Sequence, residues 1–182
     1  MKGPRNKWKK TKTMSSSTRS DAPAVATTAV LTVSDSSARG ERADLSGPAV
    51  AEALRRHGFE VVTTEIVADD QQSIRRALIG LAAKARLVVT TGGTGIARRD
   101  VTPEATRAVC KRLVEGIPER IRLEGAKKTP LAALSRGVCG VRGTSLILNL
   151  PGSPKGAVES LESVIDLLPH ALQLLAGDTQ HE

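Results

Sequence analysis

Over residues 26–91, short runs rich in β-branched residues alternate with amphipathic segments, and this alternation restricts the chain more than anything else in it. "ATTAVLTV" (26–33), "EVVTTEIV" (60–67) and "RLVVTT" (86–91) read as strands. Between the first two, "SGPAVAEALRRHGF" sets Val50, Ala53 and Leu54 on one helical face, with Ser46 as cap, Pro48 near the first turn and Gly58 as stop. "DDQQSIRRALIGLAAKA" aligns Ile74, Leu78 and Leu81 in the same way. A β-α-β-α-β order implies parallel strands joined by right-handed crossovers.

Further along, Thr102 and Pro103 are expected to cap a helix running to about Leu113, and a second helical piece follows Pro118. "GVCGVRGTSLILNL" holds two short strands around Arg142-Gly143, a hairpin that adds an antiparallel edge. The closing segment "SPKGAVESLESVIDLLPHALQLLAG" reads as helix, broken or kinked at Pro169. No internal repeat and no second domain is visible. The expectation is one three-layer α/β domain over residues 26–182, with a mostly parallel sheet, helices on both faces and an antiparallel edge hairpin.

Composition sharpens this picture. The 182 residues suffice for one domain with a proper core. Trp8 and Phe59 are the only aromatic side chains, so the core must be built from Ala, Val, Leu and Ile, which suits close helix–sheet packing. The net charge of +8 invites a nucleic-acid reading, but seven of the 27 basic residues fall in residues 1–20, where there is no acid. The rest of the chain is nearly neutral, 20 basic residues against 19 acidic ones. Residues 1–25 therefore read as a solvated, disordered basic tail. With Trp8 as its one aromatic, the tail lacks a base-stacking platform, which argues against nucleic acid as a partner. It also lacks the apolar region of a secretion signal, and no later stretch approaches a membrane span. Cys110 and Cys139 match no metal spacing and fit buried thiols of a cytoplasmic protein.

In an open α/β sheet, ligands gather beyond the carboxyl ends of the strands. Four loops leave strands there: "SDSSARG", "ADD", "TGGTGIARRD" and "NLPGSPKG", the most polar and glycine-rich stretches of the chain. "TGGTG" is neither a Walker A loop nor GxGxxG, yet its glycines let backbone N–H groups approach an anion. A tight strand-to-helix turn would need the same glycines. Arg98, Arg99 and Asp100 directly behind them point to an anion-plus-metal site. Asp69 and Asp100 each follow a strand and so face one pocket, where paired carboxylates act as acid and base or hold a divalent cation. The plainer roles are a helix cap for one of Asp69 and Asp70, and an ion pair with Arg98 or Arg99 for Asp100. Lys155 at a helix start opposes the helix dipole and hints at an anion nearby.

"TTGGTGIARRDVTPEAT", "PLAALSRGVCGVRG", "LILNLPGSPKGAVESLESVIDLLPHAL" and "VLTVSDSSARGERADLSGPAV" together resemble the molybdopterin adenylyltransferase family. That family comprises the bacterial MogA/MoaB proteins and the G domain of gephyrin and its plant counterpart. The likeness runs in order from about Ala26 to Leu175, and the basic tail lies outside it. It implies a trimeric enzyme that binds molybdopterin and Mg-ATP, adenylylates the pterin and releases pyrophosphate. A separate enzyme would then insert molybdate. By motif position, Asp69 and Asp100 correspond to the two catalytic aspartates and would position Mg²⁺. Ala68 stands where the family usually has proline. Ser34, Asp35, Gly92, Gly93, Thr94, Gly95, Ser135, Asn149, Pro151, Gly152 and Ser153 would line the ligand pocket. The attacking phosphate is largely ionised at pH 7, its second pKa being about 6, so no general base is required. The alternative within the same fold is a molybdopterin carrier or scaffold without catalysis, against which both aspartates speak.

Overall fold

The computed structural model describes residues 26–177, so the expected tail, 1–25, and the final stretch, 178–182, lie outside the described residues. Six strands form one sheet: β1 (Thr27–Val33), β2 (Glu60–Val67), β3 (Leu87–Thr91), β4 (Arg112–Leu113), β5 (Cys139–Arg142) and β6 (Ser145–Leu150). Their spatial order is β2-β1-β3-β6-β5-β4. The pairs β1–β2, β1–β3 and β3–β6 are parallel, whereas β5–β6 and β4–β5 are antiparallel. The chain places β2 on one side of β1 and then β3 on the other. The loops after β1 and β3 therefore part at a switch point, where an open α/β sheet offers a crevice.

The helices are α1 (Asp35–Ala38), α2 (Ser46–Arg56), α3 (Gln71–Ala82), α4 (Thr102–Val109), α5 (Gly116–Ala126), α6 (Pro154–Glu162) and α7 (Leu168–Ala176), with a 3-10 segment at Pro130–Leu134. Strand alternation divides the apolar side chains between two cores. Val30, Leu87, Val89, Leu146 and Leu148 meet α2, α5, α6 and α7 on one face. Ala29, Leu31, Val88 and Ile147 meet α3 and α4 on the other. The three-layer arrangement is as the sequence suggests. Cys139 belongs to the first core and Cys110 packs against the second, so the two thiols face opposite sides of the sheet.

Four local expectations are corrected. Helix α2 does begin at Ser46, but its capping acceptor is Asp44, whose Oδ1 receives the N–H groups of Ser46 and Gly47 at 3.0 Å each. A carboxylate is the stronger acceptor for these unpaired donors. Helix α4 stops at Val109, because Cys110 turns extended and Lys111 N donates to Val141 O. The free edge of β5 thus captures Arg112 and Leu113 as β4, a tertiary pairing that overrides local helix preference. The hairpin expected at the edge places β6 inside the sheet instead, and β4 forms the edge. Finally, the last helix breaks across 163–167, and Pro169 sits in the first turn of α7, where its missing N–H costs nothing.

Candidate active site

All four loops converge beyond the carboxyl ends of the parallel strands. The loops after β1, β2 and β3 enclose a polar cavity of about 330 Å³ that presents Asp35, Asp69, Arg99 and Asp100. Asp35 and Asp69 hold each other reciprocally. Asp35 N donates to Asp69 Oδ2 at 2.8 Å, and Asp69 N donates to Asp35 Oδ1 at 2.9 Å. This clip engages one oxygen of each carboxylate and joins the loops after β1 and β2. Asp69 Oδ1 points toward the glycine loop, 3.4 Å from where a Cβ on Gly93 would lie. Burial pushes the Asp69 carboxyl above the usual aspartate range, and the charges of Asp35 and Asp100 act in the same direction. The Asp35 backbone N–H and Arg99 oppose the rise without cancelling it. A cation in this cavity would relieve that charge. Asp70, by contrast, caps α3 by accepting from Ser73 N at 2.8 Å, so the adjacent acids divide the two roles.

The glycine loop is crowded by the protein itself. Gly92 and Gly93 have φ of 100° and 63°. A Cβ on Gly92 would run into the Val33 carbonyl oxygen, and one on Gly93 into the Thr102 hydroxyl. Thr102 does not cap α4, which starts after Val101; its hydroxyl donates to Gly92 O at 2.9 Å and holds the loop down. A Cβ on Gly152 would lie 3.2 Å from Gly92 Cα, so the loops after β3 and β6 touch through their backbones. Asp100 forms no ion pair among the described residues; its Oδ2 accepts from Ala97 N at 2.9 Å within the same loop.

A second cavity of about 740 Å³ adjoins the first. Its floor holds Thr94, Gly95, Ser135, Pro151 and Ser153, and its wall holds Ile121, Leu131, Ala132 and Leu134. Gly93, Asp100 and Gly152 line both cavities, so Asp100 stands at the seam between a polar and a more apolar compartment. Ser34 lines the polar one and also caps α1 through Ser37 N at 3.3 Å. Asn149 alone among the expected pocket residues lines neither. It is buried, donating to Thr90 Oγ1 at 3.0 Å and Thr106 Oγ1 at 2.9 Å, and so ties β3 and α4 to β6.

Two contributors escape sequence reading. Asp44, besides capping α2, accepts from Thr32 Oγ1 at 2.6 Å and so fixes the far end of the loop after β1. The turn signal "AD" before "LSGP" is its only trace. Arg136 lies within the motif "PLAALSRGVCGVRG", but nothing in that pattern gives it a role. Among the described residues, no three His, Cys, Asp or Glu side chains gather as a metal cage. Asp69 and Asp100 on this cavity nevertheless match the habit of Mg²⁺, which keeps several waters and takes one or two carboxylates plus substrate phosphates.

Residues 29–170 match the family model described as a probable molybdopterin binding domain. The chain belongs to this family. Within the molybdopterin-binding family, the molybdopterin adenylyltransferase of Helicobacter pylori J99 is 43% identical over 153 residues, covering 82% of this chain and 87% of that protein. The molybdopterin adenylyltransferase of Escherichia coli K12 is 39% identical over 165 residues, covering 81% and 84%. Among solved structures, the molybdopterin biosynthesis enzyme MoaB from Thermus thermophilus is 52% identical with a TM-score of 0.80, covering 85% of this chain and 98% of that one.

Proposed function

We propose that this protein is a nucleotidyltransferase of molybdenum cofactor biosynthesis that adenylylates molybdopterin with ATP and releases pyrophosphate. The observation that carries the reading is the seam: Asp100 and Gly93 border two cavities of different character, as a reaction joining two ligands requires. The polar cavity, with Asp69, Arg99 and Asp100, suits the triphosphate. The larger one, with apolar walls and the hydroxyls of Ser135 and Ser153, suits a flat pterin. The names of the similar adenylyltransferases support the same assignment.

A terminal phosphate oxygen of molybdopterin attacks the α-phosphorus of ATP. One P–O bond forms there, and the bond to the oxygen bridging the β-phosphate breaks, so pyrophosphate leaves. Both oxyanions exist at neutral pH, and no side chain has to remove a proton. The chain must align the two phosphates and offset their repulsion. When bound, Mg²⁺ supplies charge neutralisation at the phosphates, and Asp69 and Asp100 would hold it. Arg99 adds a fixed positive charge in the same cavity. Thr102 locks the glycine loop, whose Gly93 borders both cavities.

The reading extends to the whole protein: a cytoplasmic homotrimer that hands its product to a molybdate-inserting enzyme. Residues 26–182 form the working domain, and 1–25 an appended arm. Support for the trimer and the hand-over is the resemblance of the motifs to the MogA/MoaB proteins. Among the described residues, no helix is long and apolar enough to cross a membrane. The test is incubation with molybdopterin, ATP and Mg²⁺. Adenylylated pterin and stoichiometric pyrophosphate are expected; tight pterin binding with neither product would mark a carrier instead.

A further inference from the structure

Residues 94–100 carry Asp100 and the outer glycine of the loop, and they contain no helix or strand. Among the described residues, three hydrogen bonds tie this segment to the rest of the molecule. Arg136 donates all three. Its backbone N–H bonds Thr94 O at 2.9 Å, its Nε bonds Gly95 O at 2.6 Å, and its Nη2 bonds Asp100 O. Its Nη1 pairs with the Glu104 carboxylate on α4, which aims the guanidinium. Burial raises the Glu104 carboxyl, but the Arg136 hydrogen bond and the charges of Arg136 and Arg107 outweigh it and hold Glu104 below its usual range. Arg136 itself lines neither of the two adjoining cavities.

We infer that Arg136 is a positioning residue for the reaction: its guanidinium sets the distance between Asp100 and the glycine loop, and so the alignment of the two phosphates at the seam. The chemistry requires an arginine. Nε, Nη1 and Nη2 diverge in one rigid plane toward three acceptors, two carbonyls at the ends of the 94–100 segment and the Glu104 carboxylate on α4, which a single ammonium does not reproduce. A segment of seven residues held at two of its carbonyls by one side chain is free to shift when that side chain is changed, and misplacement by about 1 Å costs up to about 100-fold in rate.

The kinetic arm of the test rests on the adenylylation reading; the exchange arm does not. Arg136→Lys is compared with the unaltered protein for kcat, for KM of ATP, for melting temperature and for hydrogen exchange of peptides covering 94–100. The expected result is a fall in kcat of roughly 10- to 100-fold with a smaller change in KM, and exchange over 94–100 faster by on the order of 10-fold, with β1 and β3 unaffected. In an Asp100→Asn background the same substitution should lose most of its effect on single-turnover rate, because the two residues act through one position. A lower melting temperature with wild-type kcat and wild-type loop exchange overturns the inference. If Arg136→Lys does not fold, Glu104→Gln decides by the same pair of readouts, with a fall in kcat and faster loop exchange expected and wild-type values for both overturning it. If the unaltered protein makes no adenylylated pterin, the functional reading fails, and unchanged loop exchange in the variant would still be needed to refute the tether.

Discussion

At the scale of single residues, the free protein holds an arrangement that favours function over stability. Asp69 is half-buried between two other carboxylates, and its own carboxyl is raised by burial first and by those charges second. The folded state therefore binds the Asp69 proton more tightly than the unfolded chain does. The stability associated with that proton is present at low pH and is lost as pH rises through the raised value. In metal-free protein, Asp69→Asn keeps an acceptor for Asp35 N and removes the buried charge. The melting temperature is expected to rise at pH 7.5, with the gain shrinking as pH is lowered toward the ordinary aspartate range near ~4. An unchanged or lower value at pH 7.5 would show the reciprocal clip to depend on the charge. Activity should move the other way. Asp69→Asn and Asp100→Asn are each expected to slow adenylylation on the order of 100-fold or more while molybdopterin still binds, as measured by single turnover and pterin fluorescence. Near-normal turnover in either variant would remove that residue from the reaction.

Elements place these side chains, and the glycine loop shows how. The loop after β3 must pass beneath the Val33 carbonyl, beside Thr102 and against Gly152, so its glycines serve the packing of three loops before any ligand arrives. Gly92→Ala sets a methyl group against a backbone oxygen that is fixed in β1, at a φ of 100°. A loss of at least about 2 kcal/mol in chemical denaturation is expected, from strain and steric displacement together. A variant as stable as the parent would show that β1 yields easily at its end. The sequence reading foresees the glycines as an approach path for a ligand. The structure adds that substitution there disturbs fold and site at once, so binding loss in such a variant is interpretable only beside its stability.

For the whole molecule, the sheet order decides the layout. Because β1 lies between β2 and β3, the acids after β1 and β2 meet on one side of the glycine loop, and the loop after β6 closes the other. Two compartments with a shared border imply that each substrate binds without its partner. Titration calorimetry with molybdopterin alone and with Mg-ATP alone should give saturable binding in both cases; strict dependence of one on the other would mean that a single pocket forms only in the ternary complex. The basic residues 1–20 supply seven positive charges, no acid and few apolar side chains, and lie outside the described residues. A chain starting at Asp21 is expected to keep its melting temperature, its oligomeric size and its turnover. A large drop in melting temperature, or a change in elution on sizing, would show that this segment docks on the body.

Much of this was legible in the residues because the information is local. Alternating β-branched runs give strands with two buried faces, helical apolar spacing gives the covering layers, and polar glycine-rich loops after the strands mark the ligand edge. The same kind of signal gave a helix cap to one of Asp69 and Asp70, and the hydrogen bond from Ser73 N assigns it to Asp70. Asp69, Asp100 and the glycine loop were visible as site candidates, because each follows a strand at the ligand edge, and the structure brings them to one cavity. Only the tertiary structure decided that Arg112 and Leu113 form an edge strand, because the energy comes from unpaired groups of β5 some thirty residues away, on the order of one hydrogen bond each. It alone turned Asn149 inward, toward hydroxyls on β3 and α4. It alone placed Arg136 against Gly95 and Asp100, 41 and 36 residues earlier in the chain. The acceptors there are main-chain carbonyls, which every residue possesses, so nothing in the side-chain sequence announces them.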